Sequence, residues 1–195
     1  MLVSHTILFL GWLLFYTIHS LISGDSLRKK IGMNRRAYRL IYNAVAFITF
    51  GFVVLYSLSI ETALLYRPNQ LTYYLGLTLA TFGILVIKRV FRAYNILELL
   101  GLKEENQSTK KLKTSGIHGY MRHPIYSGTL LIYAGYALFN PTLASTISLL
   151  SLIVYLPLGI RSEEKKLIAF FGTTYLDYKS KTPSILPSFS KKKMP

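Results

Sequence analysis

IYSGTLLIYAGYALFNPTLASTISLLSLIVYLPLGI, residues 125–160, holds two apolar runs without a single Asp, Glu, Lys, Arg or His, separated by Asn140-Pro141. A hydrocarbon core about 30 Å thick takes roughly 20 apolar residues per helical crossing. Thr142 to Ile160 reaches that length, Ile125 to Phe139 falls short of it, and Asn-Pro is a turn signal. The stretch therefore predicts a tight helical hairpin inside a bilayer. Working outward, residues 2–22, 38–58 and 71–87 are further apolar runs. The expected fold is an all-α integral membrane bundle of about five transmembrane helices, forming one domain over residues 1–187 and followed by a basic, disordered tail at 188–195. A hydrophobic content of 51% with 14% aromatic residues exceeds what a soluble domain of this size carries.

The charge balance fits the same reading. A net charge of +15 suggests nucleic acid at first sight, but the basic residues sit between apolar runs rather than on one soluble face. All of the 23 Lys and Arg except Arg67 fall in the first loop, in the third loop or after residue 160. The positive-inside rule then puts the N-terminus outside and the C-terminus in the cytoplasm. Anionic membrane lipids are the expected partners of these basic segments, and nucleic acid is not. The first run lacks a basic n-region and a small-residue cleavage site, so it reads as a mature helix. With no cysteine, disulfides, thiolate metal sites and a cysteine nucleophile are excluded. No metal-ligand cluster, P-loop or Ser-His-acid arrangement is visible.

Chemistry concentrates just before the hairpin, in Gly116-Ile-His-Gly-Tyr-Met-Arg-His-Pro-Ile-Tyr-Ser-Gly128. Pro124 suits the first position of a helix, where its missing N–H costs nothing. A helix N-terminus beside Arg122 and His123 favours an anionic group through its unpaired amides and dipole. Glu163 and Glu164 follow the last run at the same depth and suggest a cationic partner. From Arg161 to Tyr178, Leu167, Ile168, Phe170, Phe171 and Tyr175 form an apolar stripe opposite Glu164, Lys165 and Lys166, which predicts an amphipathic helix at the interface. Gly76 and Gly83 lie seven apart, as do Gly128 and Gly135, and each pair predicts a helix contact face. Pro157 predicts a kink in the last helix.

Arg122-His123-Pro124-Ile125-Tyr126-Ser127-Gly128, then Glu163-Glu164, then Phe171-Gly172-x-x-Tyr175-x-x-Tyr178 and Pro187, resemble in order the signature of the isoprenylcysteine carboxyl methyltransferase-like family of integral-membrane enzymes. The resemblance covers Leu97 to Pro187. It implies S-adenosylmethionine as cofactor, a cytoplasmic cofactor pocket formed by Gly116, Tyr120, His123, Tyr126, Gly128, Glu163 and Glu164, and a bacterial or archaeal inner-membrane location. A narrower resemblance, in His19-Ser20-Leu21, Tyr38-Arg39-Leu40-Ile41-Tyr42-Asn43 and Leu97-x-x-Leu100-Gly101-Leu102-Lys103, is to the subgroup with methanethiol S-methyltransferases and NnrU-type proteins.

The implied reaction is methyl transfer to a small thiol, with a prenylcysteine carboxylate or a phospholipid amine as alternative acceptors. A non-catalytic membrane scaffold or carrier is the alternative from another class. An unperturbed thiol ionises at a pKa of about 8.5, so a nearby cation or base raises its reactive fraction. Arg122 is the expected acceptor-side charge, and His123 or His19 the expected proton acceptor. Ionisable residues within spans are functional candidates, although a histidine near the interface also serves as a plain helix-to-helix hydrogen bond. Tyr94, Asn95 and Glu98 are expected near the acceptor by proximity alone.

Overall fold

The computed structural model describes residues 1–94, 96–103 and 111–188. Asn95 and the tail beyond Ser188 lie outside the described residues, as does part of the polar stretch that follows Leu102. Helices α1 (Leu2–Ile22), α2 (Asp25–Lys30), α3 (Arg35–Ser59), α4 (Gln70–Phe91), α5 (Ile96–Leu100), α6 (Pro124–Phe139), α7 (Leu143–Phe171) and α8 (Thr173–Lys181) follow one another. Gly116–Gly119 makes a single 3₁₀ turn ahead of α6. Among the described residues the only strand-like pairing is the isolated bridge between Leu64 and Thr142.

Local chemistry starts these helices where it should. The side chain of Asn34 accepts from Ala37 N–H at the head of α3. Asn69 with Thr72, and Thr142 with Ser145, make reciprocal capping boxes on α4 and α7. Pro124 opens α6 at its first position.

Four helices, α1, α3, α4 and α7, are long and apolar enough to cross a membrane. The fifth expected span, α6, has 16 residues, about 24 Å of helix at 1.5 Å per residue. It lies against α4, and the glycine pairs are the reason. A Cβ on Gly83 would stand 2.5 Å from the Gly128 carbonyl oxygen, and one on Gly76 would stand 2.7 Å from that of Gly135. The two expected contact faces are therefore each other's partners, in antiparallel register.

At 29 residues α7 runs about 43 Å, well beyond a hydrocarbon core of about 30 Å. Its apolar part ends at Ile160, and residues 161–171 extend past the bilayer, carrying Glu163 and Glu164. The expected single amphipathic helix over 161–178 is thus two pieces. The chain turns at Gly172, whose φ of +57° lies where glycine is favoured, and α8 folds back. That turn breaks the apolar stripe, and Glu164 is buried rather than on a polar outer face.

The core joins α1 to α7. Leu8, Trp12 and Tyr16 pack on Ala144, Leu152, Tyr155 and Leu156, with Tyr16 and Tyr155 stacked at 4.5 Å between ring centroids. Trp12 donates to Ser148 Oγ at 2.9 Å. At one end of the bundle Thr62 Oγ1 accepts from Ala144 N–H at 3.0 Å and lies 3.2 Å from His5 Nε2. At the other end Lys166 Nζ reaches Ser20 O and Ser23 Oγ, tying the end of α1 to α7 beside Glu163.

Candidate active site

Arg122 and His123 follow the 3₁₀ turn and meet the chain that follows α8. Arg122 N–H donates to Pro183 O at 2.9 Å, and His123 N–H donates to Ser184 O at 3.0 Å. Ser127 Oγ donates to Ile185 O at 2.7 Å, and Ser188 N–H to Tyr120 O at 3.0 Å. Residues 182–188 therefore form a strap across the head of α6. The two amides just ahead of α6, those of Arg122 and His123, are occupied by the protein's own carbonyls.

Under the strap the charges form one network. Arg122 Nε and Nη2 lie 2.9 and 2.8 Å from Glu164 Oε1, and Nη1 donates to the carbonyls of Lys179 and Thr182. Lys179 Nζ sits 2.6 Å from Glu164 Oε2. Burial alone would push the Glu164 carboxyl up, but hydrogen bonds from Lys179, His123 and Arg122 outweigh it and hold the pKa down to about 2. Arg122, expected to face the acceptor, is directed instead at Glu164 and the strap.

His123 is buried, and its Nε2 donates to Glu164 Oε1 at 3.2 Å. That bond places a proton on Nε2. Nδ1 is enclosed by protein, makes no hydrogen bond, and lies 3.6 Å from Glu163 Oε2. The Glu163 side chain is 48% exposed, so one carboxylate of the pair is locked and its neighbour is open. The Tyr126 ring is 5.7 Å from His123, and its hydroxyl lies near Glu163.

Two residues escaped the sequence reading. His118 is buried, with its Nε2 unpaired, the edge of the Tyr94 ring 6.2 Å away, and its carbonyl accepting from Tyr178 Oη at 2.6 Å. Burial holds its imidazole below the ordinary range. Lys179 is the other, brought to Glu164 by the turn at Gly172. The only sequence signal for either was proximity to the motif or to Tyr178.

The remaining expected residues divide. His123, Tyr126, Glu163 and Glu164 come together with Arg122. Tyr94 stands beside them, its ring 6.2 Å from that of His118. Gly116 has a φ of +64°, which permits the turn into the motif, with open space around it, and Tyr120 is partly exposed. Gly128 faces α4, where a Cβ would stand 2.6 Å from Ile87 Cγ1, so its missing side chain serves helix packing. Glu98 is on α5, where its carbonyl accepts from Arg39. His19 lies on α1 with its ring 3.0 Å from Tyr42 Oη, on the same end of the bundle as Lys166.

A bound cation needs an acceptor, and the half-exposed carboxylate of Glu163 supplies one. That carboxylate fits a cationic group better than it fits a nucleotide phosphate.

Residues 7–187 match the family described as NnrU protein. The chain is 31% identical to methanethiol S-methyltransferase of Crocosphaera subtropica over 50% of its own length and 40% of that protein's. It is 31% identical to the protein-S-isoprenylcysteine O-methyltransferase of Xenopus laevis over 70% of its length and 48% of that protein's. It is 36% identical to the human protein of the same name over 44% and 31%. The chain thus spans less than half the length of these curated relatives. No solved structure matches it. With the family match covering nearly the whole chain, and the ordered motif standing where the fold brings it together, this chain belongs to the NnrU protein family, within the isoprenylcysteine carboxyl methyltransferase-like membrane proteins.

Proposed function

We propose that this chain is an integral-membrane methyltransferase that uses S-adenosylmethionine and methylates a small thiol. The observation that carries the reading is the buried His123, its Nε2 fixed by Glu164 and its Nδ1 unpaired beside the open carboxylate of Glu163. The names of relatives similar to the chain support it, one a methanethiol and one an isoprenylcysteine methyltransferase. When bound, S-adenosylmethionine supplies a methyl group on a sulfonium, which leaves as a neutral thioether once the acceptor takes the methyl.

The residues then divide the work. Glu163 holds the cationic end, with His123 packed behind it and Tyr94, His118 and Tyr126 as the wall of the pocket. Glu164, Arg122 and Lys179 fix the tautomer and orientation of His123, so Arg122 acts through its neighbours as a positioning residue. The strap and α8 exclude water from the sulfonium, whose charge disappears during transfer. His19 receives the thiol proton on the α1 side. Holding donor and acceptor in near-attack geometry contributes roughly 7 to 11 kcal/mol. With nearly every basic residue on the end that carries the site, the site faces the cytoplasm of a bacterial or archaeal inner membrane and the N-terminus lies outside.

The test is transfer from labelled S-adenosylmethionine by the purified protein in detergent, with methanethiol, a farnesylated cysteine and phosphatidylethanolamine offered side by side. Transfer to methanethiol is expected. Glu163→Ala and His123→Ala are expected to weaken cofactor binding at least about tenfold by calorimetry, the size of a lost charged hydrogen bond. Absence of cofactor binding by the unaltered protein would leave the scaffold reading standing instead.

A further inference from the structure

Not every wall of the bundle is closed. Helix α3 packs on α1, while α6 packs on α4 and α7, and between α3 and α6 lies a cavity of about 190 Å³. Phe50, Val54 and Leu58, at helical spacing, put one stripe of α3 on it. Tyr133 and Tyr136 line it from α6, and Trp12 of α1 with Ser148 of α7 form its back. Tyr133 stands about 15 Å beyond His123 along α6 at 1.5 Å per residue. The cavity is therefore separate from the candidate active site.

Its lining offers water little. Trp12 Nε1 donates to Ser148 Oγ at 2.9 Å, and Ser148 Oγ donates in turn to Ala144 O at 2.9 Å. Tyr136 Oη accepts from Asn140 Nδ2 at 3.1 Å. Ser57 adds one hydroxyl, and none of the described lining residues is charged. A buried water needs roughly two to four polar partners, and an apolar cavity of about 150 Å³ stays dry and takes up benzene. Hydrocarbon is the matching occupant.

The rim is continuous with the surface that meets lipid. Leu58 is 67% exposed and Phe50 40%, and the most apolar stretch of α3 buries none of its residues. Phe47, Phe52 and Leu55 extend the same exposed helix. Inside, the Trp12 ring lies 5.8 Å from that of Phe50 and 5.6 Å from that of Tyr133, both in edge contacts. The indole thus closes the inner end. A helix from another protein, about 10 Å or more across with its side chains, is too wide to enter, whereas a single alkyl chain fits.

We propose that this cavity is a lipid site, in which one acyl chain of a bilayer phospholipid enters between α3 and α6 and lies against Trp12. The assignment needs the bundle to span a bilayer and does not rest on the methyltransferase reading.

Trp12 is the single tryptophan of the chain, so its emission reports on the cavity directly. The whole chain is reconstituted in vesicles of dioleoylphosphatidylcholine, or of the same lipid brominated at its mid-chain double bonds, where bromine quenches on near contact. Brominated lipid is expected to cut Trp12 emission at least about twofold, and Ser57→Phe, whose ring fills the cavity, to remove roughly half of that loss or more. Ser57→Leu, a smaller filler, is expected to fall between the two and carries the test if the phenylalanine variant does not fold. Phe52→Ala, exposed on α3 but outside the lining, is expected to leave the quenching as it is. Quenching that the fillers do not reduce comes from lipid outside the bundle and overturns the proposal. Emission that brominated lipid leaves intact overturns it too, as does quenching by aqueous acrylamide in its place, which reports a water-filled cavity.

Discussion

Glu164 shows how much one side chain holds together at this site. Its carboxylate takes Arg122, His123 and Lys179 at once while nearly buried. Replacing it by Gln strands three donors, and breaking a buried ion pair from one side costs about 3 to 5 kcal/mol. Thermal unfolding of Glu164→Gln in detergent is expected to show a loss of that order. The acid response follows from the same geometry. The folded-state pKa, about 2, lies below the ordinary 4.5. The stabilisation is therefore complete above about pH 4.5 and is lost as pH falls towards 2. The unfolding midpoint should drop across that window in the unaltered protein and change much less in Glu164→Gln.

Among the elements, the α4–α6 pair makes the sharpest forecast. Gly→Ala in a helix ordinarily stabilises, by about 0.4 to 1 kcal/mol where the backbone tolerates it. At Gly83 the added carbon would meet the Gly128 carbonyl oxygen at 2.5 Å, and backbone cannot move aside as a flexible side chain can. Overpacking costs about 1 to 3 kcal/mol and wins. Gly51, with nothing within 4 Å of a built Cβ, is the control. Gly83→Ala is expected to lower the unfolding temperature and Gly51→Ala to leave it level or raise it; equal behaviour would contradict the close approach.

The apolar runs were legible because bilayer length and the absence of charge constrain them directly, and the glycine spacing gave the contact faces of α4 and α6. Which faces met was not legible, since spacing carries no partner. Glu164 could not be read as buried, because its partners Arg122 and Lys179 lie 42 residues before it and 15 after it, and only the reversal at Gly172 brings α8 back. The same long-range closure took the free amides of Arg122 and His123, which an isolated reading of the α6 start leaves open.

Across the whole molecule, the chain reverses so that His5, Thr62 and Asn140 gather at one end and Ser20, Arg122 and Lys166 at the other. With no native cysteine to remove, the topology is directly testable. In spheroplasts, Arg67→Cys should react with an impermeant maleimide and Lys29→Cys should react only after permeabilisation; the reverse pattern would invert the proposed orientation.

The strap has a consequence in time as well as in space. A polypeptide is made from its N-terminus, and elements fold as they emerge. By the time α7 has been synthesised, the entire motif from Gly116 to Gly128 and both glutamates exist. Even so, Arg122 and His123 still lack the carbonyls of Lys179 to Ser184 that complete their bonding. A nascent or prematurely terminated chain that stops before Thr182 therefore carries the signature from Arg122 to Tyr178 in an unfinished pocket, so competence to react arrives only with the last turn of α8 and the strap behind it.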